Sequence, residues 1–169
     1  MHPFYDLLID NNWSKTWAWW ADFAAITIIL LLISSVLRVI ARFILVNASS
    51  KISGATKTTM DDALIEHKFP KNVSRIVPYF FLHAVIPFWS NANEKVEEWI
   101  TAIVDVYAVF VAILIIKSLL RAFRQQLQKQ KQFKDKPIDS YIQVVMIFLW
   151  GIGILLALSI ISGKELVYF

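Results

Sequence analysis

Residues 17–46 read WAWWADFAAITIILLLISSVLRVIARFILV, an apolar run with tryptophans at one end and arginines at the other. From Trp17 to Arg38 the chain advances 21 residues, which is ~32 Å at the rise of an α-helix. The hydrocarbon core of a bilayer is about 30 Å thick. Arg38 and Arg42 lie one helical turn apart, and their long side chains can carry the charged groups to the membrane surface. The run therefore predicts a membrane-spanning helix.

The composition of the whole chain agrees with a membrane protein. Its 169 residues are 57% hydrophobic and 18% charged, with a mean hydropathy of +0.56, which is too apolar for an ordinary soluble domain. A chain of this length has room for about four spans of ~20 residues each. It contains no cysteine, which excludes disulfides and thiolate chemistry and leaves the redox compartment open.

Three further segments, at 73–90, 95–128 and 138–162, are candidate crossings. The segment 73–90 is the weakest, because its strongly apolar part is short and carries Pro78 and Pro87; taken alone, it is also consistent with a re-entrant or interfacial segment. Charge decides between these readings, since basic residues precede 73–90 and acidic residues precede 95–128, whose other end is basic. The chain must then cross the membrane between them. We therefore predict an all-α membrane protein with four transmembrane helices and both termini outside.

The basic residues are distributed unevenly, with 14 of the 17 Lys and Arg residues in two blocks, at 38–75 and 117–136. Basic loops mark the cytoplasmic side of a membrane protein. The net charge of +4 therefore favours attraction to anionic lipid, at roughly 1 kcal/mol per basic residue near the surface, over nucleic-acid binding. The arginines predicted to contact lipid at the inner interface are Arg38, Arg42, Arg121 and Arg124.

Tryptophans concentrate at the opposite, outer ends of the predicted spans. Indole rings favour the headgroup level of a bilayer, so we interpret these residues as an outer aromatic belt. Its members are Trp17, Trp19, Trp20, Trp89 and Trp99.

A short helix is predicted over residues 60–68, between the first two spans. Met60, Ala63, Leu64 and His67 recur there at helical spacing. The segment lies between basic residues, so we expect it on the inner surface as an interfacial helix.

Three ionisable residues, Asp22, His83 and Asp105, fall within the predicted spans. His83 lies six residues before Trp89, and Asp105 lies six residues after Trp99, so both are expected ~9 Å below the outer interface. This equal depth predicts that the two side chains approach each other. Ionisable groups within a membrane usually face partners or water. Here they form either a hydrogen bond between helices or, as the alternative, part of a proton-relay or ion site.

Sequence motifs give no support for an enzyme. His2, His67 and His83 are too scattered for a metal site, and neither an HExxH motif nor a paired carboxylate motif occurs. We therefore predict no catalytic residue, metal or cofactor. Gly163, followed by Lys164, is typical of a helix stop, and Gly153 with Ala157 gives a spacing that permits close helix approach.

Three stretches carry a resemblance to a known family. They are TTMDDAL at 58–64, KPIDSYIQ at 136–143 and SIISGKEL at 159–166. Together they resemble the amino-terminal membrane region of small-conductance-type mechanosensitive ion channels, in particular the miniconductance branch. The resemblance implies a homo-heptamer in a bacterial cytoplasmic membrane. It also implies helices that contact lipid and sense tension, in a channel that protects against osmotic downshock.

Two parts of that family, a Gly/Ala-rich pore helix and a cytoplasmic β domain, have no counterpart in these 169 residues, which hold four glycines. We therefore expect the chain to be a fragment that continues past Phe169 into the pore helix. The alternative is a complete four-helix membrane protein that acts as an accessory subunit or a small transporter. An open reading frame downstream of the Phe169 codon that encodes a Gly/Ala-rich helix would favour the first reading.

Overall fold

The computed structural model describes residues 3–11, 13–55, 59–89, 94–130 and 137–163; the side chains of 52–55, 59 and 89 are outside this description. Within these ranges every regular element is an α-helix. Several positions of the sequence-based interpretation, including His2, Lys131, Lys164 and Phe169, lie outside the described residues. The helices are α1 (Pro3–Asp10), α2 (Lys15–Ala55), α3 (Thr59–Glu66), α4 (Phe69–Val73), α5 (Ile76–Trp89), α6 (Glu94–Lys129) and α7 (Ile138–Ser162).

Three of these helices, α2, α6 and α7, are long and apolar enough to cross a membrane. They contain 41, 36 and 25 residues, so even α7 is ~38 Å long, more than the ~30 Å of a bilayer core. On α2 and α7 most of the large apolar side chains are exposed. Leu32 is 61% exposed on α2, and Ile147 is 71% exposed on α7. Surfaces of this kind indicate a membrane protein.

The second predicted span is where the structure differs most from the expectation. The segment 73–90 is not one helix, because α4 ends at Val73 and α5 begins at Ile76. Proline explains the break: in a continuous helix the ring of Pro78 would clash with the carbonyl of Ser74. Starting α5 at Ile76 places Pro78 in the first turn, where backbone N–H groups lack helical partners in any case. With 14 residues, α5 is ~21 Å long, shorter than the other three candidates.

The connection between α2 and α5 contains two short helices instead of the single one predicted over 60–68. The helix α3 ends at Glu66, and Lys68 then adopts a left-handed conformation with φ of 62°. This conformation is unfavourable for a residue with a side chain. It turns the chain sharply into α4, which has Pro70 near its start, a position that proline favours.

Helix α6 lies at the centre of the arrangement. It packs against α3, α4, α5 and α7, whereas α2 packs against α1, α3, α4 and α5. Positions later along α5 and α7 contact positions earlier along α6, so both helices run antiparallel to α6. Since the end of α2 joins α3 and α4, and these pack on the later half of α6, α2 runs in the same direction as α6.

The contact between α6 and α7 is particularly close at Gly153, which is buried. A methyl group at this position would overlap Cδ1 of Ile113 on α6, so the small residue predicted to permit close approach does so. One turn earlier on α7, Trp150 packs edge-on against Phe110 at 5.9 Å between ring centroids. The predicted helix stop is also confirmed, because α7 ends at Ser162 and Gly163 has φ of 64°.

Candidate functional site

Tyr79, His83 and Asp105 form a polar cluster between α5 and α6. The predicted approach of His83 to Asp105 is confirmed, with 3.9 Å between Nδ1 of His83 and Oδ1 of Asp105. The Tyr79 hydroxyl donates a hydrogen bond to the same Oδ1 at 3.3 Å. The rings of Tyr79 and His83 stack, with centroids 5.6 Å apart and an interplanar angle of 27°.

Sequence reasoning missed Tyr79, although a signal was present. Tyr79 precedes His83 by four residues, and residues four apart share one face of a helix. A phenol hydroxyl within a span needs a hydrogen-bond partner, so it would have been expected to point toward the same carboxylate. The cluster joins α5 to α6 through one hydrogen bond and one electrostatic contact.

Asp105 also lines an open cavity of about 680 Å³, where the start of α6 lies beside the end of α7. Other carboxylates around it are those of Glu94, Glu97 and Glu98, and α7 contributes Ser159. The polar cluster is therefore connected to an acidic opening. On α6 the next charged residue beyond Asp105 is Lys117, so the polar lining does not continue along this helix.

Asp22 lies on α2 and makes a different contact. It is 1% exposed, and its Oδ1 accepts a hydrogen bond from the Phe4 N–H at 3.1 Å. Phe4 lies in the first turn of α1, a helix that was not predicted, and the first N–H groups of a helix lack internal partners. A carboxylate there also interacts favourably with the helix dipole. Asp22 thus ties α1 to α2.

The tryptophans of the predicted belt occupy the same end of the parallel helices α2 and α6. Trp17, Trp20 and Trp99 are 69%, 56% and 62% exposed, as expected of rings that contact a bilayer interface. Trp19 instead stacks on Phe23, with ring centroids 5.5 Å apart. The side chain of Trp89 lies outside the described residues, although α5 ends at this position.

The second basic block is partly engaged with acidic residues. Nε and one terminal nitrogen of Arg124 donate hydrogen bonds to the two carboxylate oxygens of Asp139, each at 2.6 Å. The side-chain amide of Gln128 donates to Oδ1 of Asp139 at 2.8 Å. One of the four predicted lipid-contacting arginines therefore joins α6 to the start of α7. Asp139 was not among the predicted site residues, although it occupies the first turn of α7.

The first basic block is arranged differently. Five of its residues lie where α2, α4 and the turn before α5 meet, and the positive charge of Arg42 is the main cause that lowers the pKa of Lys71. Partial burial and the charges of Lys68, Arg75 and Arg38 lower the pKa of Lys71 further. We call these five residues the cationic cluster. In the part of the chain that the structure describes, none of their side chains forms an ion pair with a carboxylate.

Comparison with known proteins identifies no relative. No protein-family model, curated protein or solved structure matches the chain. The resemblance to mechanosensitive channels, which rests on three short motifs, therefore stays a prediction. Among the described residues no group of three or more His, Asp or Glu side chains could hold a metal ion.

Proposed function

We propose that the chain is the lipid-facing, tension-sensing transmembrane region of a mechanosensitive ion channel of the small-conductance type. The observation that carries this proposal is the large apolar surface exposed along α2 and α7, bounded on α2 by tryptophans and arginines. A surface of this kind is costly in water and favourable in lipid. By resemblance, the channel would be a homo-heptamer in the bacterial inner membrane, where it protects against osmotic downshock.

Four membrane crossings with both termini outside are part of this proposal. The parallel direction of α2 and α6 supports it. If both helices cross the membrane from the tryptophan end to the basic end, the chain must return across the membrane between them. Among the described helices between them, α3 and α4 are shorter than α5, so α5 is the candidate for that return. Its short length requires the bilayer to thin or the flanking residues to reach the surface, which membrane proteins accomplish at modest cost.

Tension would act through the exposed faces of the outer helices. A state that occupies more area in the membrane plane is favoured when the membrane is stretched, so tension shifts the population toward it. Arg38, Arg42 and Arg121 would hold the inner interface, with the tryptophans at the outer one. In this account α3 lies at the inner surface, where it links the end of α2 to α6.

A small transporter is the alternative function, and one observation favours it. Asp105 takes part in the polar cluster and also lines the acidic cavity, an arrangement that would allow protons or cations to reach His83. Intramembrane ionisable residues commonly mark such pathways. Proton-coupled uptake into vesicles that contain the chain, abolished by Asp105→Asn, would support this alternative over the channel.

Patch-clamp recording under graded suction tests the proposed function. The full-length protein that contains these helices should give current opened by membrane tension. Replacing Ile29 or Leu32, which are 41% and 61% exposed, with Asn should raise the tension required, because a polar side chain weakens lipid contact. Lys129→Asn, at an exposed position beyond the apolar part of α6, is the control and should leave the threshold unchanged. The absence of tension-gated current, or an unchanged threshold in the Ile29 and Leu32 variants, would contradict the proposal.

A further inference from the structure

The cationic cluster brings together residues that are distant in the sequence. Arg38 and Arg42 lie one turn apart on α2, Lys71 lies on α4, and Lys68 and Arg75 flank that short helix. Helix α2 packs directly against α4 and α5, so the five residues lie around one junction of these helices, where the charges of the other four act on Lys71. Arg75 also lies against α6, since its carbonyl accepts a hydrogen bond from the Tyr107 hydroxyl at 2.9 Å.

The five positive charges lack a carboxylate partner within the described residues, and two acidic side chains near the end of α6 are engaged elsewhere. Glu66 on α3 accepts a hydrogen bond from Gln125 of α6 at 2.5 Å. Asp139 is occupied by Arg124. Like charges that converge without a counter-charge repel one another and destabilise the junction. An anion at this place would remove that repulsion and hold α2 to α4.

The surroundings of the cluster distinguish a lipid from a soluble anion. On α2, Arg38 and Arg42 alternate with Val39 and Phe43, which are 66% and 68% exposed. A charged group beside a large apolar surface suits a molecule with a charged head and hydrocarbon chains. Guanidinium groups bind phosphate with two parallel hydrogen bonds, and lysine adds a mobile point charge.

We propose that Arg38, Arg42, Lys68, Lys71 and Arg75 bind the phosphate of a phospholipid whose headgroup carries a net negative charge. This inference rests on the proposed function for the assignment of the basic end to a membrane surface. A zwitterionic headgroup is a poor ligand, because its own ammonium group would join the five cations. The bound lipid bridges α2 to α4 and the start of α5, and its chains lie along the exposed apolar face of α2.

Lipid binding to the purified chain tests this site. Native mass spectrometry in detergent gives the apparent dissociation constants of phosphatidylglycerol and phosphatidylcholine, and the melting temperature is followed with each lipid and with inorganic phosphate. We expect phosphatidylglycerol to bind and stabilise, and neither phosphatidylcholine nor inorganic phosphate to do so. The double variant Arg42→Gln/Lys71→Gln should weaken phosphatidylglycerol binding by about tenfold or more.

Two controls make this result specific. Lys117→Gln/Lys129→Gln removes the same charge from the second basic block and should leave the binding unchanged. Arg42→Lys/Lys71→Arg keeps the charge and should retain binding, which separates a binding defect from a folding defect. Equal binding of both lipids, equal stabilisation by inorganic phosphate, or equal loss in the control variant would overturn the site. Since the assay needs no channel activity, its failure leaves tension gating to be judged separately.

Discussion

The two sides of α6 are built differently. On one side α7 packs closely along α6 through Gly153, Phe110 and Trp150, and the Arg124–Asp139 pair closes one end of the contact. On the other side, an apolar cavity of about 320 Å³ lies between α5 and α6, lined by Ile76, Phe80, Val111 and Ile115 among others, and individual polar contacts also join α4 and α5 to α6. Examples are the Asn72 side-chain amide, which donates to the Leu114 carbonyl at 3.1 Å, and the Tyr79–Asp105 hydrogen bond.

This difference separates a fixed pair of helices from an adjustable group. Close apolar packing has one good arrangement, because a displacement of even a methyl group opens voids or causes overlap. Single hydrogen bonds in membranes contribute ~0.6 kcal/mol on average, so they can be exchanged at little cost. We therefore expect α2, α4 and α5 to move relative to α6 when lipid or tension changes, while α6 and α7 move as one unit.

The largest effect is expected from a larger side chain between α6 and α7. Gly153→Leu should lower the free energy of unfolding by ~1–3 kcal/mol, because the new side chain overlaps Ile113. Gly151→Leu is a matched control on the same helix, since nothing lies within 4 Å of a Cβ at that position. Gly151→Leu should not lower the free energy of unfolding, and it can raise it because leucine favours a helix more than glycine does. Titration with a denaturing detergent measures both variants, and equal losses would contradict the close contact.

A smaller effect is expected at the end of the same pair. The side chains of Arg124 and Asp139 are 42% and 50% exposed, so solvent weakens their attraction. A double-mutant cycle with Arg124→Gln and Asp139→Asn should give a coupling free energy of ~0.5–1 kcal/mol. The same cycle for Arg121 and Asp139 should give no coupling. A coupling for the second pair equal to that of the first would remove the distinction between the two arginines.

The smallest effect is expected among α2, α4 and α5, where the quantity to measure is the pKa of Lys71. The nearby charge of Arg42 is the largest cause that lowers the pKa of Lys71. The folded state therefore releases the ammonium proton of Lys71 at a lower pH than the unfolded chain does. Stability should therefore rise with pH between the lowered pKa of Lys71 and its ordinary value. Arg42→Gln should raise the pKa of Lys71, measured by NMR of the labelled lysine. An unchanged pKa would show that the two side chains do not meet.

Much of the fold follows from the sequence. The apolar runs predicted helices close to α2, α6 and α7, since such runs are unfavourable in any other membrane structure. Equal depth predicted the contact of His83 with Asp105. The local sequence was also sufficient to predict the end of α7 at Gly163, because a glycine after an apolar helix adopts the left-handed conformation without strain.

Features that depend on tertiary contacts were missed. The role of Asp22 depends on α1, an eight-residue helix whose own apolar signal is too short to recognise. Pro78 prevents one continuous helix through 73–90, but the position of α4 also depends on its packing against α2 and α6, which the proline signal does not give. The two basic blocks look alike in sequence, but only the second contains an arginine whose carboxylate partner opens the next helix. Whether α5 completes a fourth crossing stays a prediction, as do the membrane sides of the termini.

The central claim is that both basic blocks lie at one face of the membrane and the start of α6 lies at the other. The chain has no cysteine, so single cysteines can report on this directly. Lys51→Cys, Glu98→Cys and Lys129→Cys, all at exposed positions, should be labelled by an impermeant thiol reagent in sealed vesicles of known orientation. We expect the cysteines replacing Lys51 and Lys129 to react from the same side and the one replacing Glu98 from the opposite side. Reaction of all three from one side, or of the two lysine positions from opposite sides, would contradict the account.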